Sequence, residues 1–285
     1  MEKTIDIPKE KSRIYQFKIE TCLHENTTPR NVIPIPLSKY FCPMPNTLCF
    51  DFGNTRLKVA LFQNAKAVDV IILENDTIET IEALIKKYDP QKAILSSVIN
   101  HNPEIENLLA SKTKFHKLDH LSKLPFTTPV GKPDTIGSDR LALAAAAVYF
   151  FPKQHNLVIG MGSCVTYNFI NAEHEFLGGG ISPGMEMRMR ALNQFTAKLP
   201  IIKPDGNVPL IGYDTATNIL SGVVMGMANE IDGFIITYKE RFGNFNVHLT
   251  GGDLVYLAPH LKNQIFADPE LIFKGLYAIS EVNNQ

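Results

Sequence analysis

The sequence predicts an α/β fold made of two related halves that enclose a cleft. Three observations support this prediction. Two apolar runs flank a short polar turn at residues 47–62, and the same arrangement returns at residues 156–170. A third glycine-rich turn follows an apolar run at residues 246–253. The repeated strand–turn–strand unit indicates an internal duplication, and the junction between such halves is a common place for a binding cleft.

The first half begins with strands, because apolar runs separated by turn residues are typical of a meander. The helix that follows carries Ile78, Ile81, Leu84 and Ile85 on one face. The elements predicted here are strands at 47–50, 57–62, 67–73, 92–98 and 114–118, with helices at 77–88 and 103–110.

An alanine-rich helix at residues 138–150 links the two halves, and the second half opens with the strand at 156–160. The segment 214–241 is the clearest helix of the chain. Asp214 is a good N-cap, an unbroken apolar stripe follows, and Gly243 lies just past the end. A last strand at 246–249 and a last helix at about 270–279 complete the predicted elements. Methionines in this half are interpreted as packing residues.

The composition excludes several classes of function. A formal net charge of −1 gives no electrostatic reason to expect nucleic acid or an anionic membrane as a partner. No apolar stretch approaches the roughly 18 residues of a membrane span. The four cysteines form no CxxC pair and no zinc-ligand spacing, which indicates reduced thiols. The N-terminus lacks the features of a secretory signal, so we expect a cytoplasmic protein.

The turn at residues 51–58 has the chemistry of a phosphate site. Gly53 permits close approach of the backbone, and free N–H groups in such a turn can bind an anion. Asp51 is placed to hold Mg²⁺, directly or through water. The residues predicted to bind ATP phosphates here are Asp51, Gly53, Asn54, Thr55 and Lys58. The alternative is an ordinary hairpin with a solvated aspartate and a solvated lysine.

Two later turns repeat the pattern. Gly162 and Ser163 follow the first strand of the second half, and Thr250, Gly251 and Gly252 follow its last strand. We expect the former to bind phosphate and the latter to lie beside the nucleoside. Together with the first turn, they predict a nucleotide held in the cleft between the halves.

These motifs resemble those of the type III pantothenate kinases, in the actin, sugar-kinase and Hsp70 superfamily. The resemblance covers roughly residues 46–280. The motifs that carry it occur in the family's order: Asp51-x-Gly53-Asn54-Thr55-x-x-Lys58, Ser96-Ser97-Val98, Gly137-x-Asp139-Arg140, Gly162-Ser163-Cys164-x-Thr166, Gly178-Gly179-Gly180-Ile181-x-Pro183-Gly184 and Thr250-Gly251-Gly252.

The resemblance implies duplicated ribonuclease-H-like (actin-like ATPase) domains, here residues 46–150 and 151–285, with the last helix crossing back onto the first. It implies ATP-dependent phosphorylation of pantothenate to 4′-phosphopantothenate, the first step of coenzyme A biosynthesis. Mg²⁺ would accompany ATP, with K⁺ or NH₄⁺ as an activating cation. The family resemblance also implies a homodimer whose pantothenate pocket lies at the subunit contact.

Roles for individual residues follow from the same resemblance. Asp139 would be the catalytic base, and Gly137, Ser138, Asp139 and Arg140 would bind the substrate. A guanidinium offers a two-pronged donor for a carboxylate, which suits Arg140. The alternative is that Ser138 or Asp139 merely caps the helix and Arg140 pairs with a surface acid. Thr215 would contact pantothenate from a neighbouring subunit, or is simply a residue of a first helical turn.

Two glycine-rich segments have more than one interpretation. Residues 178–180 and the pair Pro183-Gly184 would shape a close-packed loop around the substrate. They would equally suit a hairpin followed by a helix, with Pro183 setting the first helical turn.

The chain departs from the family pattern at four positions. Gly160 replaces the aspartate that helps bind a monovalent cation, so we expect weak cation activation or a cation held by backbone oxygens. Ser163 replaces a threonine but keeps the hydroxyl, and Asn168 replaces an aspartate. Val130 stands where a substrate-contacting tyrosine is often found.

The first 45 residues differ from the rest. They hold six of the 18 prolines and show no sustained helical period. Members of the resembled family usually start just before the first phosphate motif, where Met44 lies. We predict that residues 1–43 are a loosely held extension or lie upstream of the natural start. A regulatory or partner-binding arm is the alternative.

Two other functions stay open on the sequence. One is phosphorylation of another small hydroxy-acid or sugar, because a fold does not fix the substrate. The other is a non-catalytic nucleotide-binding regulator, which the changes at Gly160 and Asn168 favour and the retention of Asp51 and Asp139 opposes.

Overall fold

A computed structural model describes residues 45–129, 131–204, 206 and 208–284. These residues form two five-stranded mixed sheets with helices between and around them. The predicted extension, residues 1–43, lies outside the described residues, as does Val130. The α/β fold with an internal duplication is confirmed, whereas the domain boundary at residue 150 stays a prediction.

The first sheet has the strand order β3-β2-β1-β4-β5. Strands β1, β2 and β3 form an antiparallel meander, and β4 and β5 continue the sheet in parallel with β1. The strands are β1 Thr47–Phe52, β2 Leu57–Gln63, β3 Lys66–Leu73, β4 Lys92–Ser97 and β5 Lys114–Lys117. The interior strand β4 is buried on both faces, whereas the edge strand β3 mostly alternates between exposed and half-buried residues.

The second sheet repeats this topology with the order β10-β9-β6-β7-β8. Strands β6, β7 and β8 form the antiparallel meander, and β9 and β10 extend it in parallel with β6. The strands are β6 Asn156–Met161, β7 Cys164–Ile170, β8 Phe176–Pro183, β9 Asn246–Gly251 and β10 Phe266–Ala267. The matching order of the two sheets confirms the duplication predicted from the repeated turns.

Helix α3, Ser138–Phe150, is packed between the two sheets. Its residues 141–148 are all buried, and they share one core with Ile94 of the first sheet and Val158 of the second. Small alanines suit this position because the helix has neighbours on every side. The sequence predicted the bounds of this helix correctly.

The last helix, α8 (Leu271–Asn283), packs on α3 and on strands β1 and β4 of the first sheet. Tyr277 stacks on Phe62, and Asn284 donates to the carbonyl of Ala93. A Cβ atom at Gly275 would lie 1.8 Å from the backbone oxygen of Ala142, so glycine permits the close approach of the two helices. The chain therefore returns from the second sheet to the first.

The long helix predicted at 214–241 is present as three joined segments: α5 Thr215–Leu220, a π-helical turn Ser221–Met225 and α6 Gly226–Phe242. Asp214 forms a capping box with Thr217, and Gly243 ends the helix at φ 74°. Among the described residues, this helix alone is long and apolar enough to cross a membrane, although half of its apolar window is buried inside the protein. The expectation that no stretch approaches such a length was wrong.

The remaining helices are α1 Ile78–Tyr88, α2 Glu104–Lys112, α4 Met185–Gln194 and α7 Leu254–Leu257. Of the two interpretations of residues 178–180, the loop was wrong and the hairpin followed by a helix was right, because these residues belong to β8, which pairs antiparallel with β7 and precedes α4. Pro183 ends that strand, and α4 begins only at Met185, so the proline does not set a first helical turn. Met185, Met189 and Met227 are buried, which agrees with a packing role, whereas Met187 is 45% exposed and does not.

Candidate functional site

The first turn joins β1 to β2 and presents Asp51. The backbone N–H of Gly53 donates to the carbonyl of Arg56 at 3.1 Å, which closes the turn. In register, Asp51 lies opposite Lys58 of β2 on one side and Ser96 of β4 on the other. Asn54 and Thr55 are exposed at the tip of the turn, where they are accessible to a ligand.

The environment of Asp51 favours the protonated carboxyl. Burial raises the pKa of Asp51 to about 6, Lys58 opposes this shift, and the carboxylate of Asp139 raises the pKa further. Asp51 and Asp139 therefore interact electrostatically, although they come from different motifs. A bound cation beside Asp51 would relieve both the desolvation and the repulsion.

The second turn joins β6 to β7 and meets the first turn directly. Ser163 Oγ lies 2.9 Å from Thr55 Oγ1, so the hydroxyls of the two predicted phosphate turns are hydrogen-bonded to each other. The N–H of Gly162 donates to the carbonyl of Cys164 at 3.0 Å. Gly184, just before α4, packs so tightly here that a Cβ atom would lie 2.2 Å from the oxygen of Gly162.

The third turn packs against the end of β6. Gly251 has φ +114°, and a Cβ atom on it would lie 1.9 Å from the backbone oxygen of Met161, so only glycine fits. Thr250 is buried and Gly252 is exposed. The three predicted nucleotide turns thus lie at one end of the two sheets.

Asp253 is a site residue that the sequence analysis missed. Its Oδ2 accepts from the backbone N–H of Met185 at 3.4 Å, at the start of α4. Burial and the neighbouring Glu186 raise the pKa of Asp253, and Arg56 of the first turn opposes this. It directly follows the Thr250-Gly251-Gly252 motif, and an acidic residue at this position is the signal by which the sequence analysis should have found it.

Helix α3 begins within the predicted catalytic motif, but no side chain of the motif caps it. Its N-cap is Gly137, with no side-chain capping bond, and Ser138 Oγ instead accepts from Ser96 Oγ at 2.9 Å. The carboxylate of Asp139 folds over Gly137, where a Cβ atom would lie 2.6 Å from Oδ1. The alternative that Ser138 or Asp139 merely caps the helix is therefore not what the geometry favours.

Within the described part of the chain, Arg140 forms no salt bridge with a surface acid either. Its Nε donates to Oδ1 of Asn168 at 2.8 Å, and its Nη2 lies 3.3 Å from the carbonyl of Tyr167. Burial lowers the pKa of the guanidinium, while the charge of Asp139 raises it. The side chain of Arg140 thus extends from α3 to β7, where two uncharged hydrogen-bond acceptors orient it.

The surroundings of Gly160 do not fit a monovalent-cation site in which a side chain at position 160 is one of the ligands. Gly160 lies opposite Thr166 on β7, and a Cβ atom would lie 2.8 Å from Thr166 Oγ1 and 2.9 Å from Leu143 Cδ1. The space that an aspartate would need is therefore filled. Asn168 supplies no charge, and its amide is already bonded to Val158 and Thr166.

The residues around Asp51 do fit Mg²⁺ bound together with nucleotide phosphates. Among the described residues no group of three or more His, Cys, Asp or Glu side chains could hold a metal by itself. Mg²⁺ commonly uses one or two carboxylates and completes its shell with phosphates and water. Asp51 provides one carboxylate beside the turn that is predicted to bind phosphate, which matches this pattern.

Thr215 is the one predicted substrate residue that the structure places elsewhere. It is exposed as the first residue of α5, and it lines a cavity of about 880 Å³ with Phe195, Leu199 and Ile219. None of residues 137–140 lines this cavity. Within one chain, Thr215 is therefore not brought to Asp139 and Arg140.

A family model described as type III pantothenate kinase matches residues 47–237, which include the first two turns predicted to bind nucleotide and the Asp139 motif. The chain belongs to the type III pantothenate kinase family. A type III pantothenate kinase of Christiangramia forsetii is 41% identical over 238 residues, covering 83% of this chain and 98% of the relative. One from Bacteroides fragilis is 41% identical over 241 residues, with the same coverage. The match to pantothenate kinases thus extends over nearly their whole length.

A solved structure supports the fold of this family member. A Campylobacter jejuni protein assigned to the Baf family of transcriptional activators matches with a TM-score of 0.55 and 22% identity, covering 83% of this chain and 98% of that one. At this identity the likeness bears on the fold alone.

Proposed function

We infer that this chain phosphorylates pantothenate with ATP to give 4′-phosphopantothenate, the first step of coenzyme A biosynthesis. The observation that carries the inference is the position of Asp139 relative to helix α3 and to Asp51. It opens a rigid helix without capping it, and it interacts electrostatically with Asp51 of the first phosphate turn. Membership of the type III pantothenate kinase family identifies pantothenate as the acceptor of the phosphoryl group.

The reaction follows from these positions. The oxygen of the primary hydroxyl forms a bond to the γ-phosphorus while the bond to the β,γ-bridging oxygen breaks, and ADP leaves. Asp139 accepts the hydroxyl proton and passes it to solvent. Arg140 holds the carboxylate of pantothenate, and Ser138 is fixed beside it by Ser96. Gly137 leaves room for the Asp139 side chain.

The nucleotide is held by the three turns at one end of the sheets. The phosphates contact Gly53, Asn54, Thr55, Lys58, Gly162 and Ser163, and the nucleoside lies beside Thr250, Gly251 and Gly252. Mg²⁺ bound at Asp51 would neutralise charge on the phosphates and keep them in line. We expect no strong requirement for K⁺ or NH₄⁺, because Gly160 leaves no side chain for such an ion.

We further propose a homodimer in the cytoplasm. Phe195, Leu210, Ile211 and Tyr213 are between 74% and 82% exposed, close in sequence or space to Thr215. Large apolar side chains exposed in one region are typical of an interface. In a dimer formed through this region, Thr215 would reach the pantothenate of the partner subunit. Sedimentation velocity of wild type and Ile211→Asp tests this: a dimer that the substitution converts to monomer supports the interface, and a wild-type monomer excludes it.

The central test is phosphorylation of pantothenate by the purified chain with ATP and Mg²⁺, beside Asp139→Asn. We expect phosphopantothenate from wild type and a loss in kcat on the order of 10²–10⁴ in the variant, the usual contribution of a general base. Asp134→Asn, an exposed aspartate just upstream, is the matched control. ATP binding with no transfer to pantothenate would favour the nucleotide-binding regulator. Transfer only to another hydroxy-acid or sugar would favour the other alternative.

A further inference from the structure

A series of contacts joins the three turns that are predicted to hold the nucleotide. Thr55 of the first turn is hydrogen-bonded to Ser163 of the second turn. The carbonyl of Ser163 accepts from the backbone N–H of Gly184 at 3.1 Å. The next backbone N–H, that of Met185, donates to Oδ2 of Asp253 at 3.4 Å. Because Asp253 directly follows the third turn, its carboxylate connects that turn with the second one.

Arg56 of the first turn interacts with the same carboxylate. It follows Thr55 in the chain and is exposed. Burial raises the pKa of Asp253, and the positive charge of Arg56 acts against this rise, so the two side chains attract each other. Arg56 lies at the end of the first sheet and Asp253 at the end of the second. The attraction therefore acts across the cleft.

The carboxylate of Asp253 has little role in the structure around it. Asp253 is the N-cap residue of α7, but its side chain makes no capping bond. Among the described residues, its only side-chain hydrogen bond is the one from Met185, which is long at 3.4 Å. An ionised carboxylate can accept several hydrogen bonds. Most of the capacity of this carboxylate is therefore available to a partner such as Arg56.

Arg56 is also the less engaged of the two cations in the first turn and its flanking strand. Lys58 lies opposite Asp51 and lowers the pKa of that carboxyl. Arg56, by contrast, forms no salt bridge with any residue that the structure describes. A guanidinium stays protonated in proteins, and its fork of N–H donors matches the oxygens of a phosphate. The charge of Arg56 thus remains available for an anionic ligand.

We propose that Arg56 binds the phosphates of ATP and that Asp253 is the positioning residue that holds Arg56 across the cleft toward them. The carboxylate draws the guanidinium from the first sheet toward the second, over the gap between the Thr55 and Ser163 turns. Bound ATP is thereby gripped from both sheets. This inference rests on the part of the proposed function that makes ATP the phosphate donor.

Calorimetric titration with Mg²⁺ and the β,γ-imido analogue of ATP tests the proposal without an acceptor. We expect Arg56→Gln to raise Kd for the analogue about tenfold or more, the usual effect of losing a charged hydrogen bond. Asp253→Asn is expected to raise it by about two- to fivefold, as for a charge pair near the surface. Arg241→Gln, at an exposed arginine near the end of α6, is the matched control. An unchanged Kd in Arg56→Gln would overturn the proposal.

The double variant separates positioning from a structural role. Because Asp253 acts through Arg56, Asp253→Asn should have no further effect on Kd in the Arg56→Gln background. If Asp253 instead only holds the start of α4 through Met185, its substitution should raise Kd equally in both backgrounds, and that result would contradict the proposal. A lower Kd in Asp253→Asn alone would contradict it too, because Asp253 would then draw Arg56 away from the phosphates.

The binding experiment and the proposed function can fail separately. If Kd depends on Arg56 and Asp253 as expected but wild type does not phosphorylate pantothenate, the proposed acceptor is wrong and this inference stands. If wild type makes phosphopantothenate but Kd does not depend on Arg56, this inference is wrong and the proposed function stands. No binding of the analogue by wild type would overturn both.

Discussion

Thr55 and Ser163 are hydrogen-bonded to each other, with 2.9 Å between their side-chain oxygens. They belong to different turns, one from each sheet, and both are expected to bind phosphate. Each hydroxyl is thus a hydrogen-bond partner of the other. The contact joins the two turns, and substitutions at these hydroxyls are a way to separate nucleotide binding from acceptor binding.

Removing the hydroxyl of Ser163 is expected to weaken ATP binding selectively. A hydroxyl that bonds a charged phosphate contributes about 1.5–3 kcal/mol, so Ser163→Ala should raise KM for ATP at least about tenfold. KM for pantothenate should change little. The control is Ser163→Thr, which keeps the hydroxyl and should remain close to wild type. Steady-state kinetics with ATP varied measures this, and equal effects of both variants would argue against phosphate contact by Ser163.

Asp51 is expected to destabilise the metal- and nucleotide-free protein at neutral pH. Its pKa is raised from 3.8 to about 6 in the folded state, so the folded state binds the proton more tightly than the unfolded state. Stability is therefore lost as pH rises from 3.8 through about 6. The loss is at most about 3 kcal/mol above that range, at 1.36 kcal/mol for each pKa unit.

Urea unfolding with EDTA tests this linkage. Asp51→Asn should raise the free energy of unfolding by up to about 3 kcal/mol at pH 8 and by about half as much at pH 5. The same variant should need far more Mg²⁺ for activity. Asp134→Asn, at an exposed position, is the control. A stability gain for Asp51→Asn that is the same at both pH values would show that charge is not its cause.

Two helical glycines are expected to respond oppositely to alanine. At Gly275 of α8 the added Cβ atom would lie 1.8 Å from the backbone oxygen of Ala142, whereas at Gly233 of α6 it would meet nothing within 4 Å. Gly275→Ala should destabilise the protein by about 2–3 kcal/mol, because the backbone of α8 or of α3 must move to make room for the added methyl group. Gly233→Ala should stabilise it by about 0.5–1 kcal/mol. Thermal or urea unfolding measures both, and similar small effects would show that α8 moves away from α3 at little cost.

Monovalent cations are expected to have little effect on the rate. Replacing K⁺ by tetramethylammonium at constant ionic strength should change kcat by less than about twofold, because no side chain at Gly160 supplies a ligand. Gly160→Asp should not create cation activation, because Thr166 and Leu143 already occupy the space. A strong dependence of wild type on K⁺ would mean that backbone oxygens bind the ion.

The fold could be predicted from the sequence to a large extent because its signals are local. The strands, α3 and the capped helix beginning at Thr215 each carry their own period or cap. Helix α4 was predicted only as one of two alternatives and without bounds, because its residues, MEMRMRALNQ, show no clear apolar stripe. The π-helical turn at Ser221–Met225 has no local signal at all, since it lies inside an apolar helical pattern.

Only the parts of the candidate site that lie within one continuous motif could be predicted from the sequence. The turns at Asp51, Ser163 and Gly251 stood out because glycine and hydroxyl residues follow apolar runs. The bonds of Arg140 to Asn168 and of Asp253 to Met185 join residues distant in the chain. Such partners depend on sheet register and helix placement, which composition and spacing do not contain.

Helix α3 acts as a spacer. Every residue from 141 to 148 is buried between the two sheets, and most are alanines. A larger side chain in place of one of these alanines would push the neighbouring strands of the two sheets apart. The distance between the two sheets is thus set by a row of buried methyl groups that begins two residues after Arg140.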